Sequence, residues 1–282
     1  MITPFLQDAA FLENFRSTDK DSDRFYLWWL GQSGFLIQWK GQHLLLDPYL
    51  SDSLTRKYAD TDKPHVRMTE LAIDPSALDF IDVCTSSHNH TDHLDAETLL
   101  PLMQANPNMQ LLIPEANRDF VCERLGCDQT YPIGLNENEQ VALGSFTFHG
   151  VPAAHNTIEK DPLGRCKFMG FVVEFGHWKL YHSGDTLWYE GMEDILRPYQ
   201  VNLAMLPING NKPERRVAGN LDHEEAVRLA NTIGARLVIP CHYDMFTFNT
   251  ADPADFARAC EKIQQPYKVL QCGEPWDSDQ LL

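Results

Sequence analysis

TSSHNHTDHLD, at residues 85–95, is the most informative stretch of this sequence. Three of the chain's 11 histidines and one aspartate fall within residues 88–93, in the pattern H-x-H-x-D-H. The stretch follows FIDVC (80–84), an apolar run typical of a buried strand. Imidazole and carboxylate groups are metal ligands, and a strand can hold such side chains in a fixed arrangement. The pattern therefore predicts a metal site at the end of a strand.

The spacing within this segment divides its ligands into two pairs. His88 and His90 are two residues apart, so in an extended chain their side chains point the same way and can hold one ion. Asp92 and His93 follow at the turn into a predicted helix, where they can face a second ion. All four are too crowded to serve one tetrahedral centre that also takes a distant histidine. We therefore predict two neighbouring metal sites.

Three further ligand-type residues stand just beyond apolar runs elsewhere in the chain. His155 follows FTFHGVPAA, Asp185 follows LYHSG and His242 follows RLVIPC. In α/β folds, polar residues beyond strand ends meet in one crevice. We predict two sets of metal ligands and one carboxylate that bridges them: His88, His90 and His155 for the first ion, Asp92, His93 and His242 for the second, and Asp185 as the bridge.

Asp47 is a candidate for a supporting role at this site. It ends the run HLLLD (43–47), and its carboxylate can accept a hydrogen bond from the second ring nitrogen of a ligand histidine. A turn residue before Pro48 is an equally good interpretation.

The composition is that of a globular protein with an acidic surface. The chain has 282 residues, 43% of them hydrophobic, and a formal net charge of −17. We treat residues 1–282 as one domain, since no low-complexity linker divides them. The acidic balance disfavours nucleic acid and anionic membranes as partners, because both repel negative charge.

The cysteines and the N-terminus favour a cytoplasmic location. The seven cysteines are odd in number and never in C-x-x-C spacing, so we predict free thiols in a reducing compartment. The N-terminal segment does not read as a signal peptide, and no apolar run is long enough to span a membrane.

Both halves of the chain begin with hairpin-linked strands and end with strands that alternate with helices. The predicted strands are 25–30, 35–39, 43–47, 79–84, 110–114, a pair within 140–151, 167–175, 178–183, 201–208, 235–241 and 267–271. The predicted helices are 5–15, 94–103, 115–125, 223–233 and 253–264, and residues 51–70 are predicted to form a loop. This order predicts an α/β fold with two sheets face to face and helices outside, a four-layer αββα sandwich.

These motifs resemble the metallo-β-lactamase superfamily. The resemblance runs from WWLGQSGFLI (28–37) to IPCHYDMF (239–246) and includes the H-x-H-x-D-H segment, His155, the aspartate of SGD and the histidine of PCH. Within the superfamily, the stretches WWLGQSGFLI, LYHSGDTLWY and LVIPCHYDMFTFNTADP look like the L-ascorbate-6-phosphate lactonase-like branch. The resemblance implies the metallo-β-lactamase fold and a metal-dependent, lactonase-like hydrolase.

The chemistry expected of such a site is hydrolysis. Two divalent ions can hold a bridging hydroxide and polarise the bond to be cleaved. The donor set suits Zn or Mn, and Fe also fits. Asp92 and Asp185 are the candidate catalytic carboxylates. His223 is a candidate to protonate the leaving group or to contact substrate, and a first-turn helix residue is the alternative.

The loop NGNKPERRVAGNLDH (209–223) suggests an anionic substrate. Its side chains Lys212, Arg215 and Arg216 could bind a phosphate or carboxylate near the metals, although a solvated loop is the alternative. We expect a small-molecule substrate of the lactone or phosphoester class. The alternatives are a phosphodiesterase or nuclease, an N-acyl phospholipid hydrolase on the same fold, and an iron-dependent redox enzyme. The sequence leaves open whether the chain forms a homo-oligomer.

Overall fold

The computed structural model describes residues 1–281 and contains two β-sheets with helices on their outer faces. The strands are β1 (Phe25–Trp29), β2 (Phe35–Trp39), β3 (Gln42–Leu46), β4 (Val83–Thr85), β5 (Gln110–Pro114), β6 (Pro132–Leu135), β7 (Gln140–Leu143), β8 (Phe146–Pro152), β9 (Met169–Phe175), β10 (Trp178–His182), β11 (Leu203–Pro207), β12 (Leu237–Cys241) and β13 (Pro275–Asp277). The α-helices are α1 (Asp8–Arg16), α2 (Ser53–Lys57), α3 (Ala96–Ala105), α4 (Arg118–Leu125), α5 (Met192–Leu196), α6 (His223–Thr232) and α7 (Pro253–Ile263). Leu282, the last residue of the predicted domain, lies outside the described residues.

The two sheets share one plan. The 7-stranded sheet has the order β13-β1-β2-β3-β4-β5-β6, and the 6-stranded sheet has the order β12-β11-β10-β9-β8-β7. In the first sheet β1 to β3 are antiparallel and β3 to β6 are parallel. In the second sheet β7 to β10 are antiparallel and β10 to β12 are parallel. Each half of the chain therefore builds one sheet, as the order of hairpins and helices predicts, except that β13 from the C-terminal end joins the first sheet.

Alternation of large side chains along β1 packs this strand on both faces. The ring centroid of Phe25 lies 5.5 Å from that of Phe175 and 5.2 Å from that of Trp178, both in the second sheet. The ring of Trp28 faces the other way and lies 5.4 Å from the ring of Phe15 in α1. Since successive strand residues point to opposite faces, this alternation places one core between the sheets and another under the helices.

The helices complete the predicted four layers. Buried residues of α1, α3 and α4 pack with the outward-facing residues of the first sheet. Buried residues of α6 and α7 join the core of the second sheet. The prediction of a four-layer αββα sandwich is confirmed, and this arrangement leaves the carboxyl ends of the parallel strands free to carry a site.

Several predicted elements differ from the structure. The final strand is β13, which pairs with β1, and not 267–271, where Tyr267 makes a single bridge to β12. The structure adds β6, α2 and α5, which are four or five residues long and too short to show a periodic pattern. The strand predicted at 79–84 begins only at Val83.

Two expectations about the chain's environment have structural counterparts. All seven cysteines are free thiols. Within residues 1–281, none of the helices combines the length and the apolar character that a membrane span needs.

Candidate metal centre

Residues that follow strand ends supply most of the polar side chains of this site. Asp47 comes directly after β3 and His88 shortly after β4 in the first sheet. His155, Asp185 and His242 follow β8, β10 and β12 in the second sheet. All five are at most 5% exposed. The strand ends of both sheets thus bring these side chains together in a buried position.

The first cluster consists of His88, His90 and His155, whose ligand nitrogens lie within 4.8 Å of one another. His155 donates its Nδ1 hydrogen to the carbonyl oxygen of Gly219 at 2.8 Å, so Nε2 is the nitrogen that is left to face the cluster. The Nε2 atom of His88 is buried and has no hydrogen-bond partner among residues 1–281. The ring of Phe168 lies 5.0 Å from that of His88 and covers this side of the cluster.

The second cluster consists of Asp92, His93, Asp185 and His242, whose ligand atoms also lie within 4.8 Å of one another. His93 Nε2 lies 3.9 Å from Asp92 Oδ2 and 3.3 Å from Asp185 Oδ1. His242 Nε2 lies 3.8 Å from Asp92 Oδ2 and 3.4 Å from Asp185 Oδ2. Two carboxylates and two imidazoles therefore surround one small volume.

Asp185 lies between the two clusters. Its Oδ2 atom is 3.6 Å from His155 Nε2 in the first cluster and 3.4 Å from His242 Nε2 in the second. The preceding residue, Gly184, has a φ of +58°, and a Cβ there would come within 2.7 Å of the side chain of Ser87. Glycine is needed at this position because the Asp185 turn packs directly on the loop that carries His88.

Asp47 anchors the second cluster from below. Its carboxylate accepts hydrogen bonds from His93 Nδ1 at 2.7 Å, from Thr85 Oγ1 at 2.8 Å and from the backbone nitrogen of Ser87 at 3.0 Å. The hydroxyl of Ser87 also donates to it. Since Nδ1 of His93 is occupied in this way, Nε2 is the atom presented to the cluster. The structure thus gives Asp47 the supporting contact that was one of its two interpretations.

The electrostatics of the second cluster favour positive charge. Burial alone would lower the pKa of His93, but the charges of Asp185 and Asp92 hold it well above its ordinary value. Burial would raise the pKa of Asp185, yet His93 and His242 keep it well below its usual range. A position that stabilises an imidazolium in this way also stabilises a bound cation.

The first cluster behaves differently. Burial, together with the neighbouring His93 and His90, lowers the pKa of His88 well below its ordinary value. His88 is therefore a neutral imidazole, which is the form that binds metal ions.

The spacing of these atoms fits divalent metal ions. Ligand atoms about 2.1 Å from one ion, at tetrahedral angles, are about 3.4 Å apart. The four distances within the second cluster range from 3.3 to 3.9 Å. In addition, Nε2 of His93 and Oδ1 of Asp185 are buried without hydrogen-bond partners in the described part of the chain. Because unpartnered buried polar atoms are costly, these atoms are best explained by a cation that they bind.

A cavity of about 510 Å³ opens above the two clusters. One side consists of aromatic side chains, which we call the aromatic wall: Tyr58, His65, Phe246 and Phe248. The ring of His65 lies 4.2 Å from that of Tyr58 and 4.4 Å from that of Phe248. Burial lowers the pKa of His65, so this ring is neutral near pH 7. The wall gives the cavity an apolar surface next to the polar clusters.

Two cations line the same cavity. Arg124 donates Nη1 hydrogens to the carbonyl oxygens of Asn89 and Leu94, so it also holds the H-x-H-x-D-H segment in place. Lys57 is exposed at the cavity and lies over the ring of Tyr58. The carboxylates of the lining belong to Asp92 and Asp185. With metal ions bound to these two carboxylates, the cavity would carry positive charge despite the acidic surface of the chain.

The structure does not bring the four residues predicted from the 209–223 loop to this cavity. Arg215 donates to Asn249 Oδ1 at 3.0 Å and to the carbonyl of Thr250 at 2.8 Å, which uses its guanidinium to hold the loop. Arg216 pairs with Asp62 at the surface. The remaining two, Lys212 and His223, line a separate cavity of about 350 Å³.

The position of His223 has a local cause. Asp222 is the N-cap of α6 and forms a capping box with Glu225, as the D-x-x-E spacing predicts. This places His223 at the first position of the helix, which is the alternative that the sequence left open.

Sequence reasoning missed several residues that line the cavity. Gln32, Lys57 and Arg124 come from a turn and two helices that carry no metal-binding pattern. His65 also lies outside any metal-binding pattern, and it belongs to the aromatic wall. One signal for Gln32 was available: a polar residue in a glycine turn between two apolar strands, in the stretch LGQSG.

Comparison with known proteins agrees with this geometry. The model of a family described as "Beta-lactamase superfamily domain" matches residues 26–242. A UPF0173 metal-dependent hydrolase of Caldivirga maquilingensis is 29% identical over 245 residues, which cover 86% of this chain and 93% of that protein.

Solved structures show the same fold. The metallo-β-lactamase fold protein YhfI of Bacillus subtilis superposes with a TM-score of 0.63 at 16% identity and covers 91% of this chain and 100% of its own. An isothiocyanate hydrolase from Delia radicum gut bacteria superposes with a TM-score of 0.70 at 18% identity, over 89% of this chain and 98% of its own. The predicted metallo-β-lactamase fold is thereby confirmed. None of these matches names an L-ascorbate-6-phosphate lactonase, so that finer assignment stays a prediction.

Proposed function

We propose that this chain, which belongs to the beta-lactamase superfamily domain family, is a metal-dependent hydrolase of a small anionic substrate. The observation that carries the proposal is the pair of buried clusters joined by Asp185 at the floor of a cavity. The description of the Caldivirga relative as a metal-dependent hydrolase supports the same reaction type.

Two divalent ions are the proposed cofactors. His88, His90 and His155 would hold one, Asp92, His93 and His242 would hold the other, and Asp185 would contact both. When bound, such ions lower the pKa of water toward neutrality and polarise a carbonyl or phosphoryl oxygen. Zn, Mn and Fe all accept this mixture of imidazole and carboxylate ligands.

The chain's own residues position the reaction. Asp47 fixes the ring of His93 through Nδ1, and Arg124 fixes the loop that carries His90 and Asp92 through two backbone carbonyls. The burial of the clusters excludes bulk water from all but the cavity side, which strengthens electrostatic interactions with the substrate. These contacts orient the proposed metal ligands and strengthen the charge interactions of the site. They do not require His223 as a proton donor.

The lining of the cavity supports a substrate with two parts. An anionic group would be attracted by Lys57 and Arg124, and an apolar part would pack on the aromatic wall. Within the lactone and phosphoester classes expected from the sequence, this favours a molecule that carries a phosphate or carboxylate beside an alkyl or aromatic group. The lactonase-like assignment is part of this proposal.

An N-acyl compound is the second candidate. The observation that favours it is the aromatic wall, which offers an acyl chain an apolar surface directly beside the clusters. The anionic headgroup of such a compound would be attracted by Lys57 and Arg124, as the phosphate of a phosphorylated lactone would be.

A matched substrate panel tests the proposal. Metal-reconstituted protein would be assayed with lactones, aryl phosphoesters and N-acyl amides, each in an anionic and a neutral form. We expect hydrolysis of at least one class, with kcat/KM for the anionic form higher by about tenfold, which corresponds to about 1.4 kcal/mol. The proposal of an anionic substrate is wrong if neutral forms react equally well, and the proposal of a hydrolase is wrong if no class is cleaved.

A further inference from the structure

Gln32 is a buried amide in contact with the second cluster. It is 1% exposed, and its Nε2 atom lies 2.7 Å from Asp92 Oδ2 and 2.9 Å from His242 Nε2. Both of these atoms are proposed metal ligands. The Oε1 atom of the same amide is buried and has no hydrogen-bond partner within residues 1–281. This amide therefore makes its contacts on the proposed ligands and leaves its acceptor unused.

The backbone holds Gln32 in this position. Its φ is +48°, in the left-handed region that residues other than glycine rarely adopt. The carbonyl oxygen of Gln32 accepts a hydrogen bond from Trp29 Nε1 at 3.0 Å and another from the backbone nitrogen of His242 at 2.9 Å. This strained conformation, with the carbonyl held by two hydrogen bonds, indicates a functional constraint on where the side chain points.

Metal binding is incompatible with the present contact between Gln32 and His242. A neutral imidazole nitrogen has one lone pair, so Nε2 of His242 cannot accept from the amide and bind a cation at the same time. The amide must therefore either withdraw or turn over. Its carbonyl is held by two hydrogen bonds and its side chain is buried, so a half-turn about the terminal side-chain bond is the smaller change. That turn exchanges Oε1 and Nε2.

We propose that Gln32 is a ligand of the second metal ion through its side-chain oxygen Oε1. After the half-turn, Oε1 takes the place that lies 2.7 Å from Asp92 Oδ2 and 2.9 Å from His242 Nε2. Ligand atoms about 2.1 Å from one ion and at right angles to each other are about 3.0 Å apart. The spacing is thus that of a fifth ligand beside Asp92 and His242. The acceptor Oε1 gains a partner, while Nε2 gives up its bond to Asp92 and moves into the buried place that Oε1 leaves.

This assignment makes the two sites unlike. The first site offers three imidazoles, whereas the second would offer oxygens from Asp92, Asp185 and Gln32 together with two imidazoles. Oxygen-rich sites with more than four ligands suit Mn²⁺ and Fe²⁺, whereas Zn²⁺ is commonly bound by four ligands. The inference rests on the proposed metal-dependent function and adds a residue and a metal preference to its second site.

Two substitutions separate a ligand from a residue that only orients Asp92. Gln32→Met keeps the length of the side chain and removes both polar atoms. If a ligand is lost, the affinity for the second Mn²⁺ ion should fall by about 10- to 100-fold. The affinity for the second Zn²⁺ ion should fall less, because zinc accepts four ligands. Gln32→Glu keeps an oxygen at the same distance and should bind the second Mn²⁺ ion at least as tightly as the wild type.

The measurement is calorimetric titration of the metal-free protein with Mn²⁺ and with Zn²⁺, supported by the visible spectrum of the Co²⁺-loaded protein. Loss of a ligand changes the cobalt bands in Gln32→Met, whereas a lost hydrogen bond leaves the coordination unchanged. Gln38→Met is the matched control, because Gln38 is equally buried in β2 and takes its hydrogen bond from Thr18. It should bind both metals as the wild type does.

The outcomes are distinct. Wild-type protein that binds two ions, with Gln32→Met unchanged in Mn²⁺ affinity and in cobalt spectrum, overturns the inference alone. Equal weakening of Mn²⁺ and Zn²⁺ in both Gln32 variants, with unchanged spectra, shows that Gln32 only orients Asp92 and also overturns it. Wild-type protein that binds no divalent ion overturns the proposed function and the inference together.

Discussion

The segment 88–93 and the loop 209–223 both concentrate functional-looking side chains, and the structure uses them in opposite ways. In the first, the chain passes from β4 into the clusters. His88 and His93 are at most 1% exposed there, and their Nε2 atoms have no hydrogen-bond partner within residues 1–281. In the second, Arg215 is bound to neighbouring backbone and side-chain oxygens, and Arg216 pairs with Asp62.

The difference shows what makes a polar residue available for function. A side chain at a strand end is held by the sheet, so its polar atoms stay free for a ligand. A cation in a surface loop finds oxygens of its own chain, and its charge is then used for folding. The predictions below test this contrast, from the largest expected effect to the smallest.

Asp185→Asn should cause the largest loss. The amide is neutral and a poorer ligand, so the contact between the two clusters would weaken, and we expect turnover to fall by about 100-fold or more. Steady-state kinetics with metal analysis checks this. Asp82→Asn is a control, because the Asp82 side chain is half exposed and pairs with His43 away from the cavity. Near-normal turnover of Asp185→Asn with full metal content would contradict the bridging assignment.

Asp47→Ala should weaken metal binding without removing a proposed ligand. The ring of His93 would lose the acceptor on Nδ1, and metal affinity should fall by about 10- to 100-fold. The donors of Thr85 and Ser87 would also lose a buried partner, which costs about 1–3 kcal/mol of folding stability.

Metal titration and thermal unfolding of the metal-free protein measure the two effects of Asp47→Ala separately. Thr85→Val, which removes a single hydrogen bond to Asp47, should show a smaller version of both. Unchanged metal affinity in Asp47→Ala would mean that His93 needs no anchor.

A pair of exposed lysines provides a direct comparison of cavity and loop. Lys57 lines the cavity and Lys212 lies in the loop, and both side chains are exposed. Lys57→Met should raise KM for an anionic substrate by about two- to fivefold, the range of a solvent-screened ion pair, and leave kcat unchanged. Lys212→Met should leave both constants unchanged. Equal effects of the two variants would show that Lys212 contributes to binding of the anionic substrate, as the loop sequence suggests.

Arg216→Ala should have the smallest effect. Its partner Asp62 is at the surface, and both side chains are mostly exposed, so the pair is screened by solvent. We expect the melting temperature, metal content and KM to match those of the wild type. A clear rise in KM for an anionic substrate would show that the Arg216 side chain reaches the cavity during turnover.

Much of the architecture could be predicted because it depends on local patterns. Apolar runs located nearly all the strands, and the residues just beyond them located the clusters, since both follow from burial of the preceding strand. The strand β13 was missed because its three residues carry no alternating pattern, and its pairing with β1 is a tertiary contact.

The cavity was harder to predict than the clusters. Tyr58 and His65 come from one loop region, and Phe246 and Phe248 come from another more than 170 residues away, so only the fold brings them together. The loop cations show the reverse case. The sequence shows the charge of Arg215 but not the carbonyl and amide oxygens that bind it.

The most direct test of the account is the number of metal ions per chain. Protein stripped with a chelator and reconstituted with excess Zn²⁺ or Mn²⁺ would be analysed by mass spectrometry of its metal content. We predict two ions per chain in the wild type, and one ion in both His90→Ala and His242→Ala, because each variant damages a different cluster. Saturation of the wild type at one ion per chain would contradict the two-metal site.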